Sequence, residues 1–296
     1  MDNLVLRSPA KLNLYLDVLR KRPDGYHDIE TVFEKISLFD IISIRKRDKG
    51  IKITTNAPNL PVGRKNLAYR AAELLLVKAG FKGGVSIDIK KNIPIAAGLG
   101  GGSSNAAVVL LGVNRLLGLG LKKAELIRMG RSLGADVPFF LYNCRFALGT
   151  SKGDNISPLY INKDINIWHM VISFDFGVAT KTVYDALNLR LTQHLYDVKI
   201  LSLFLLENDL ENLGHSLYNK LEEVVLNKYD EVRAAKELLL KEGAYGALLS
   251  GSGPSVFGIT KTREEAIALK RRVQRHLRKS CKMSVVNTLV DMKGVL

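Results

Sequence analysis

Between residues 98 and 107 the chain reads "GLGGGSSNAA", with glycines at 98, 100, 101 and 102 followed by two serines and a run of small residues. No other segment limits the fold as much. Glycine gives up side-chain packing and loses the most backbone freedom on folding, so the interior of a helix or strand does not account for such a run. "VSIDI" (85–89) precedes it with the alternation of a strand. "NAAVVLLGVNRLLGLG" follows, apolar nearly all round, as a helix buried inside a domain is. Strand, glycine loop and buried helix together offer an anion close-lying amides and a positive dipole end. Ser103 and Ser104 can cap the helix start and add hydroxyls. This is not a Walker A loop, because no Lys-Ser/Thr follows, nor GxGxxG, because position 103 is serine. A loop built only for close backbone packing is the competing reading.

Elsewhere strands and helices mix without regular alternation, which argues an α+β protein. "KLNLYLDV" (11–18) alternates as a half-buried strand, and "RPDGYHD" (22–28) supplies turn chemistry. "DIISIRKR" and "IKIT" read as further strands, and "NLAYRAAELLLVKAG" (66–80) as a helix that Gly80 can end. Near residue 150 the texture changes to a loop, the strand "NIWHMVIS", and then mainly helices from 180 to 243. A second Gly/Ser loop lies in "GALLSGSGPSVFGIT" (246–260), and "SVVNTLV" suggests a last strand. With 296 residues, two domains are expected, 1–150 and 151–296.

Two turn-like segments imitate catalytic motifs. "DFG" (175–177) lacks the other protein-kinase signatures, and "GTSKG" (149–153) is not followed by the helix of a nucleophile elbow. Two separated cysteines, 144 and 281, suggest neither a disulfide framework nor a zinc site. Histidines 27, 169, 194, 215 and 276 show no metal-ligand spacing. The net charge of +15 favours anionic partners, with "KRRVQRHLRKSCK" (270–282) the densest cluster. That cluster continues a helix opened by Thr262, with Glu265 completing a capping box, and no aromatics interleave as in a nucleic-acid surface. A solvated helix face is the simpler reading. No signal peptide or membrane span is read in the sequence, so a soluble cytoplasmic protein is the expectation.

Lys11 and Asn13 lie two apart on one strand and so share a face, which in isolation reads as solvated, with Pro9 marking a strand edge. Asp136, after Gly134 and before Pro138, reads first as a helix N-cap. His27 beside a glycine turn is a candidate binding residue.

"PAKLNLYLDVLRKRPDGYHDIETVF", "IPIAAGLGGGSSNAA", "LGADVPFF" and "LSGSGPSVFG" occur in the order found in the GHMP kinases, which the chain resembles from about residue 7 to residue 260. The resemblance implies two α+β domains, the first like ribosomal protein S5, with the active site in the cleft between them. "RPDGYH" resembles the branch of that family whose acceptor carries cytidine diphosphate. It implies transfer of the γ-phosphoryl group of ATP, as MgATP, to the 2-hydroxyl of 4-diphosphocytidyl-2-C-methyl-D-erythritol, in non-mevalonate isoprenoid biosynthesis. By resemblance, Pro94, Gly98, Leu99, Gly100, Gly101, Gly102, Ser103 and Ser104 bind ATP, with Asn66 and Lys90 or Lys91 toward the adenosine end. Lys11 and Asp136 would act on the acceptor alcohol beside Asn13. Tyr26, His27 and Tyr184 would hold cytosine, and Gly251, Ser252 and Gly253 the substrate diphosphate. The chain departs from the family pattern at "SKGD" (151–154) and Lys181, positions at the domain junction and pocket rim. A small-molecule partner is implied, with no nucleic acid or membrane, in a monomer or homodimer; the Mg²⁺ ligands stay unassigned. Other readings are a GHMP kinase for mevalonate, homoserine or a sugar, and an RNA-binding protein on the S5-like fold.

Overall fold

Leu12, Leu14, Leu16 and Val18 alternate along the first strand, and all four are buried. Lys11, Asn13 and Tyr15 on the opposite face are buried as well, so the half-buried strand expected from alternation is buried on both faces. The computed structural model describes residues 3–161, 165–189, 197–277 and 281–290. His194 and residues 278–280 of the basic stretch lie outside the described residues.

β1 (Asn3–Lys21) and β2 (His27–Arg47) form a long antiparallel pair around the 22–26 turn. β3 (Gly50–Thr55) leads to α1 (Leu67–Lys78) and β4 (Gly84–Lys90), which pairs antiparallel with β2 and parallel with β3. After the glycine loop come α2 (Gly101–Leu117), α3 (Lys123–Leu133) and α4 (Val137–Leu141). β5 (Phe146–Thr150) pairs with β2 and with β6 (Asn155–Leu159), so the "GTSKG" segment is the turn of a hairpin.

β7 (Trp168–Phe174) opens a second sheet. α5 (Thr180–Asp185), α6 (Val198–Glu207), α7 (Leu210–Ser216), the two-residue β8 (Tyr218–Asn219), α8 (Glu222–Lys228) and α9 (Asp230–Lys241) follow. The chain closes with β9 (Gly246–Leu249), β10 (Val256–Thr260), α10 (Arg263–His276) and β11 (Cys281–Asn287). The second sheet runs β11-β7-β10-β9, and the first β3-β4-β2-β1-β8 with β5 and β6 joined at β2. Thr262 caps α10 as expected, but Glu265 reaches back to the Lys261 amide rather than to Thr262.

The halves are fixed to one another. β8 adds to β1 in parallel, placing chain from the second half on the first sheet. β8 meets β1 only at Tyr15 and Leu16, so among the described residues β1 at Pro9 pairs with β2 alone, the edge that the proline marks, and the register shifts between Pro9 and Ala10. Leu12, Ile36, Val171, Leu248 and Phe257 share one core between the sheets. At roughly 1.5–3 kcal/mol for each fully buried large apolar side chain, this shared core holds both walls of the intervening cleft.

Candidate active site

The Lys11 amide donates to the Leu99 carbonyl at 3.0 Å, bringing β1 against the glycine loop. Lys11 is 3% exposed and Asn13 2%, so the solvated-face reading is corrected: β1 is covered on this face too. Lys11 Nζ donates to Asn13 Oδ1 at 2.5 Å and lies 3.8 Å from Asp136 Oδ2. Asn13 Nδ2 donates to Thr31 Oγ1 at 2.7 Å, and that hydroxyl donates to the Tyr15 carbonyl at 2.6 Å. Both polar ends of Asn13 are thereby oriented. Burial pulls the Lys11 pKa below the usual lysine value, and the Asp136 charge opposes that shift.

Asp136 precedes α4 but caps nothing. Its backbone is helical (φ −78°, ψ −16°), whereas a side chain that caps amides needs an extended residue. The carboxylate, 34% exposed, turns instead to Lys11.

Gly98 and Gly100 show why the loop needs glycine. Gly98 has φ +77°, and a Cβ there would stand 2.0 Å from the Ser250 carbonyl oxygen. Ser250 Oγ donates to the Gly98 carbonyl at 3.0 Å, so the two Gly/Ser loops touch. Gly100, at φ +69°, is the N-cap of α2, and its missing Cβ leaves room for the Lys11 side chain 2.8 Å away. The serine-cap expectation is therefore corrected, since Ser103 and Ser104 already lie inside the helix. Ser103 faces the cleft, while Ser104 is fully buried and accepts from Ser8 Oγ at 2.8 Å.

One cleft of about 750 Å³ gathers Lys11, Asn13, Asp136, Gly98, Gly100 and Ser103. Tyr26, His27, Tyr184 and residues 251–253 line the same cleft. His27 and Tyr184 are in ring contact at 5.0 Å, while Tyr26 is 58% exposed beneath the Lys152 ammonium, 4.7 Å from its ring centroid. Burial lowers the His27 pKa, with Lys21 adding to the effect and Asp185 opposing it. Burial raises that of Tyr184, with Asp136 contributing. The Thr180 and Ser252 hydroxyls pair at 2.8 Å and tie α5 to the second loop.

Several expected residues stand elsewhere. Asn66 is committed to α1, accepting from the Ala68 amide at 2.9 Å and donating to the Pro61 carbonyl at 2.7 Å. Lys90 is exposed at the end of β4, and Lys91 is paired with buried Asp40. Leu99 is a core side chain. Pro94, Gly101 and Gly102 flank the glycine loop without lining the cleft. Sequence reasoning missed Thr31, which orients Asn13, and Thr180. It also passed over Lys152, whose hairpin turn carried no sign of facing the cleft.

The arrangement places a cation and a carboxylate beside amides that can receive an anion, with an aromatic wall in the same cleft. Such a layout can hold a phosphate-bearing ligand with a polar group of a second ligand beside the carboxylate. Family models agree. Residues 66–144 match the GHMP kinases N terminal domain, and residues 201–279 match the GHMP kinases C terminal model. A 4-diphosphocytidyl-2-C-methyl-D-erythritol kinase of Geobacter metallireducens is 44% identical over 90% of this chain and 92% of its own length. The chain belongs to the GHMP kinases. A protein of the same name from Clostridioides difficile is 40% identical across 100% of this GHMP kinase and 98% of its own length. A crystal structure of 4-(cytidine 5'-diphospho)-2C-methyl-D-erythritol kinase superposes with a TM-score of 0.80 at 32% identity, covering 96% of this chain and 99% of that one. A homoserine kinase from Cytophaga hutchinsonii, 22% identical with a TM-score of 0.77 over 99% of this chain and 96% of its own, shares the fold.

Proposed function

We propose that this GHMP kinase moves the γ-phosphoryl group of ATP to the 2-hydroxyl of 4-diphosphocytidyl-2-C-methyl-D-erythritol. The observation that carries the reading is the presence of the Lys11–Asp136 pair, 3.8 Å apart, in one cleft with Gly98, Gly100 and the His27–Tyr184 contact. The names of the full-length relatives support it.

The glycine loop and the first turn of α2 receive the ATP phosphates through backbone amides and the helix dipole. Asp136 faces the acceptor hydroxyl as the group that takes its proton or aligns it. Lys11 holds that carboxylate in place across the cleft and counters charge on the transferring phosphoryl. Its low exposure strengthens both effects, because water screens little there. Tyr26, His27 and Tyr184 form the cytosine wall, and residues 251–253 meet the diphosphate with amides.

Among the described residues no three His, Cys, Asp or Glu side chains gather into a metal cage. That suits Mg²⁺, which keeps several waters and binds through substrate phosphates with one or two carboxylates. Asp24, Asp136 and Asp185 are the carboxylates that line the cleft, with Ser103 a hydroxyl at the start of α2. Mg²⁺ would supply further neutralisation of phosphate charge.

No helix among the described residues is long and apolar enough to cross a membrane, and a soluble cytoplasmic enzyme is the reading we adopt. The test is ADP release from MgATP with a panel of alcohols. The cytidine-bearing acceptor should lead by orders of magnitude. Preference for mevalonate, homoserine or a free sugar would overturn the acceptor assignment, and RNA affinity without ADP release would overturn the kinase reading.

A further inference from the structure

A loop rich in glycine samples many conformations, so its amides form a phosphate cradle only where something fixes its ends. Asp40, on β2 and fully buried, lies outside the cleft and plays no part in the chemistry proposed above. Its Oδ1 accepts from the backbone amides of Asn92 at 2.8 Å and Ile93 at 2.9 Å, where the chain enters the glycine loop. Its Oδ2 accepts from Asn105 Nδ2 at 2.9 Å, in the first turns of α2, where the chain leaves that loop. The Lys91 ammonium also pairs with Oδ2.

We propose that Asp40 is the positioning residue of the phosphate loop, a buried carboxylate that anchors both ends of the segment whose amides receive ATP. The proposal rests on the kinase reading. Four donors converge on one side chain, and the two oxygens of a carboxylate have the acceptor sites to take all of them. Asn105 extends the anchor by donating also to Ser8 Oγ at 2.9 Å, and Ser8 donates to Ser104 Oγ at 2.8 Å. The buried position of Ser104 thus has a purpose: it holds the first turns of α2 to β1. Lys91 Nζ lies 3.0 Å from where a Cβ on Gly101 would stand, which seats the ion pair directly against the start of α2.

A counter-ion for Lys91 would need no backbone partners, whereas Asp40 takes two consecutive amides and a helix side chain as well. An amide in its place offers one acceptor oxygen and turns two donors toward Asn105 and Lys91. The loop ends would then separate while the acceptor wall, built from other elements, keeps its geometry.

The experiment compares Asp40→Asn, Asn105→Ala and the double variant Asp40→Asn with Lys91→Met. It measures the KM for ATP, the KM for the acceptor, and amide exchange across residues 97–104. Asp40→Asn should raise the KM for ATP at least about tenfold and Asn105→Ala about threefold, with the acceptor KM within about twofold. Exchange across the loop should quicken in both. The double variant should stay at least about fivefold above the unaltered protein. Recovery of the ATP KM in the double variant would overturn the proposal, leaving Asp40 as a counter-ion. So would a parallel rise of both KM values in step with lost thermal stability. If Asp40→Asn fails to fold, Asn105→Ala decides by the same split of the two KM values. An unaltered protein that binds no ATP would overturn the kinase reading itself, and this inference with it.

Discussion

Lys11 Nζ and Asp136 Oδ2 stand 3.8 Å apart, one side chain 4% exposed and the other 34%. In the proposed reaction this unequal burial gives the two groups different tasks. The sheltered lysine holds charge where water screens it poorly, and the open carboxylate can meet an incoming hydroxyl. Asp136→Asn should leave acceptor binding nearly intact and lower turnover about 10²–10⁴-fold, the usual worth of a positioned acid-base group. Lys11→Ala should lower turnover too, and the double variant should lose less than the product of the two losses. Steady-state kinetics of the three variants check this, and near-normal turnover in Asp136→Asn would remove the residue from the chemistry.

The pair also sets a pH dependence. Burial lowers the Lys11 pKa, so the folded enzyme loses this charge at a lower pH than an exposed lysine would. The kcat profile should fall on its alkaline side below the ordinary lysine range. Asp136 raises the Lys11 pKa, so Asp136→Asn should move the alkaline limb lower still. A limb that stays in place in the variant would assign it to another group.

Gly100 joins the loop to α2 at φ +69°, with Lys11 Cγ 2.8 Å and Phe140 Cζ 3.0 Å from any added Cβ. Gly100→Val should abolish ATP binding measured by calorimetry, because the branch disfavours the backbone angle and displaces Lys11. Far-UV circular dichroism should show a folded protein. Unchanged nucleotide affinity in that protein would return the loop to a packing role.

The order strand, glycine loop and helix was legible because each piece carries a local signal, although α2 begins at Gly101, inside the glycine run rather than after the serines. Lys11 and Asn13 were legible as sharing a face but not as buried. What buries them comes from far along the chain: a Cβ added at Gly100 or Gly251 would stand 2.8 or 3.2 Å from the Lys11 side chain. Asp136 had a local explanation as a cap that its backbone angles remove. Asp40 had no signal, since a carboxylate at the start of "DIISIRKR" looks like any charged residue before an apolar strand. Only long-range contacts reveal that it gathers four donors.

Lys35 offers a stability test away from the site. It is fully buried on β2, donates to the Tyr142 carbonyl at 2.5 Å, and burial brings its pKa down to about 8. Below that pH both folded and unfolded chains hold the proton, and the folded state carries the whole cost of burying the charge. Between pH 8 and the ordinary lysine value of about 10.4 the folded state loses its proton first, so stability rises with pH. Relative to Lys35→Met, the unaltered protein should gain up to about 3 kcal/mol across that window, at roughly 1.4 kcal/mol per pH unit. Urea unfolding at pH 7.5 and pH 10 checks the sign, and a difference that does not change with pH would show that Lys35 titrates normally.

The acceptor's base provides the sharpest test of substrate. Tyr184 packs on His27 at 5.0 Å between ring centroids, and Tyr26 lies in the same cleft with most of its surface open. Aromatic contact with a base is worth roughly 1–3 kcal/mol in nucleic-acid complexes, and a similar size is expected here. Tyr184→Ala should therefore raise the acceptor KM about 5- to 150-fold, at ~1.4 kcal/mol per decade. The KM for ATP should stay nearly constant, since the glycine loop is formed by other residues. Methylerythritol phosphate without its cytidine should be a poor acceptor for the unaltered enzyme. Tyr184→Ala should erase much of the difference between the two alcohols, because the binding energy that separates them comes from a base remote from the reacting hydroxyl. Equal loss on both acceptors would place Tyr184 in the folding of α5 rather than in recognition of the base.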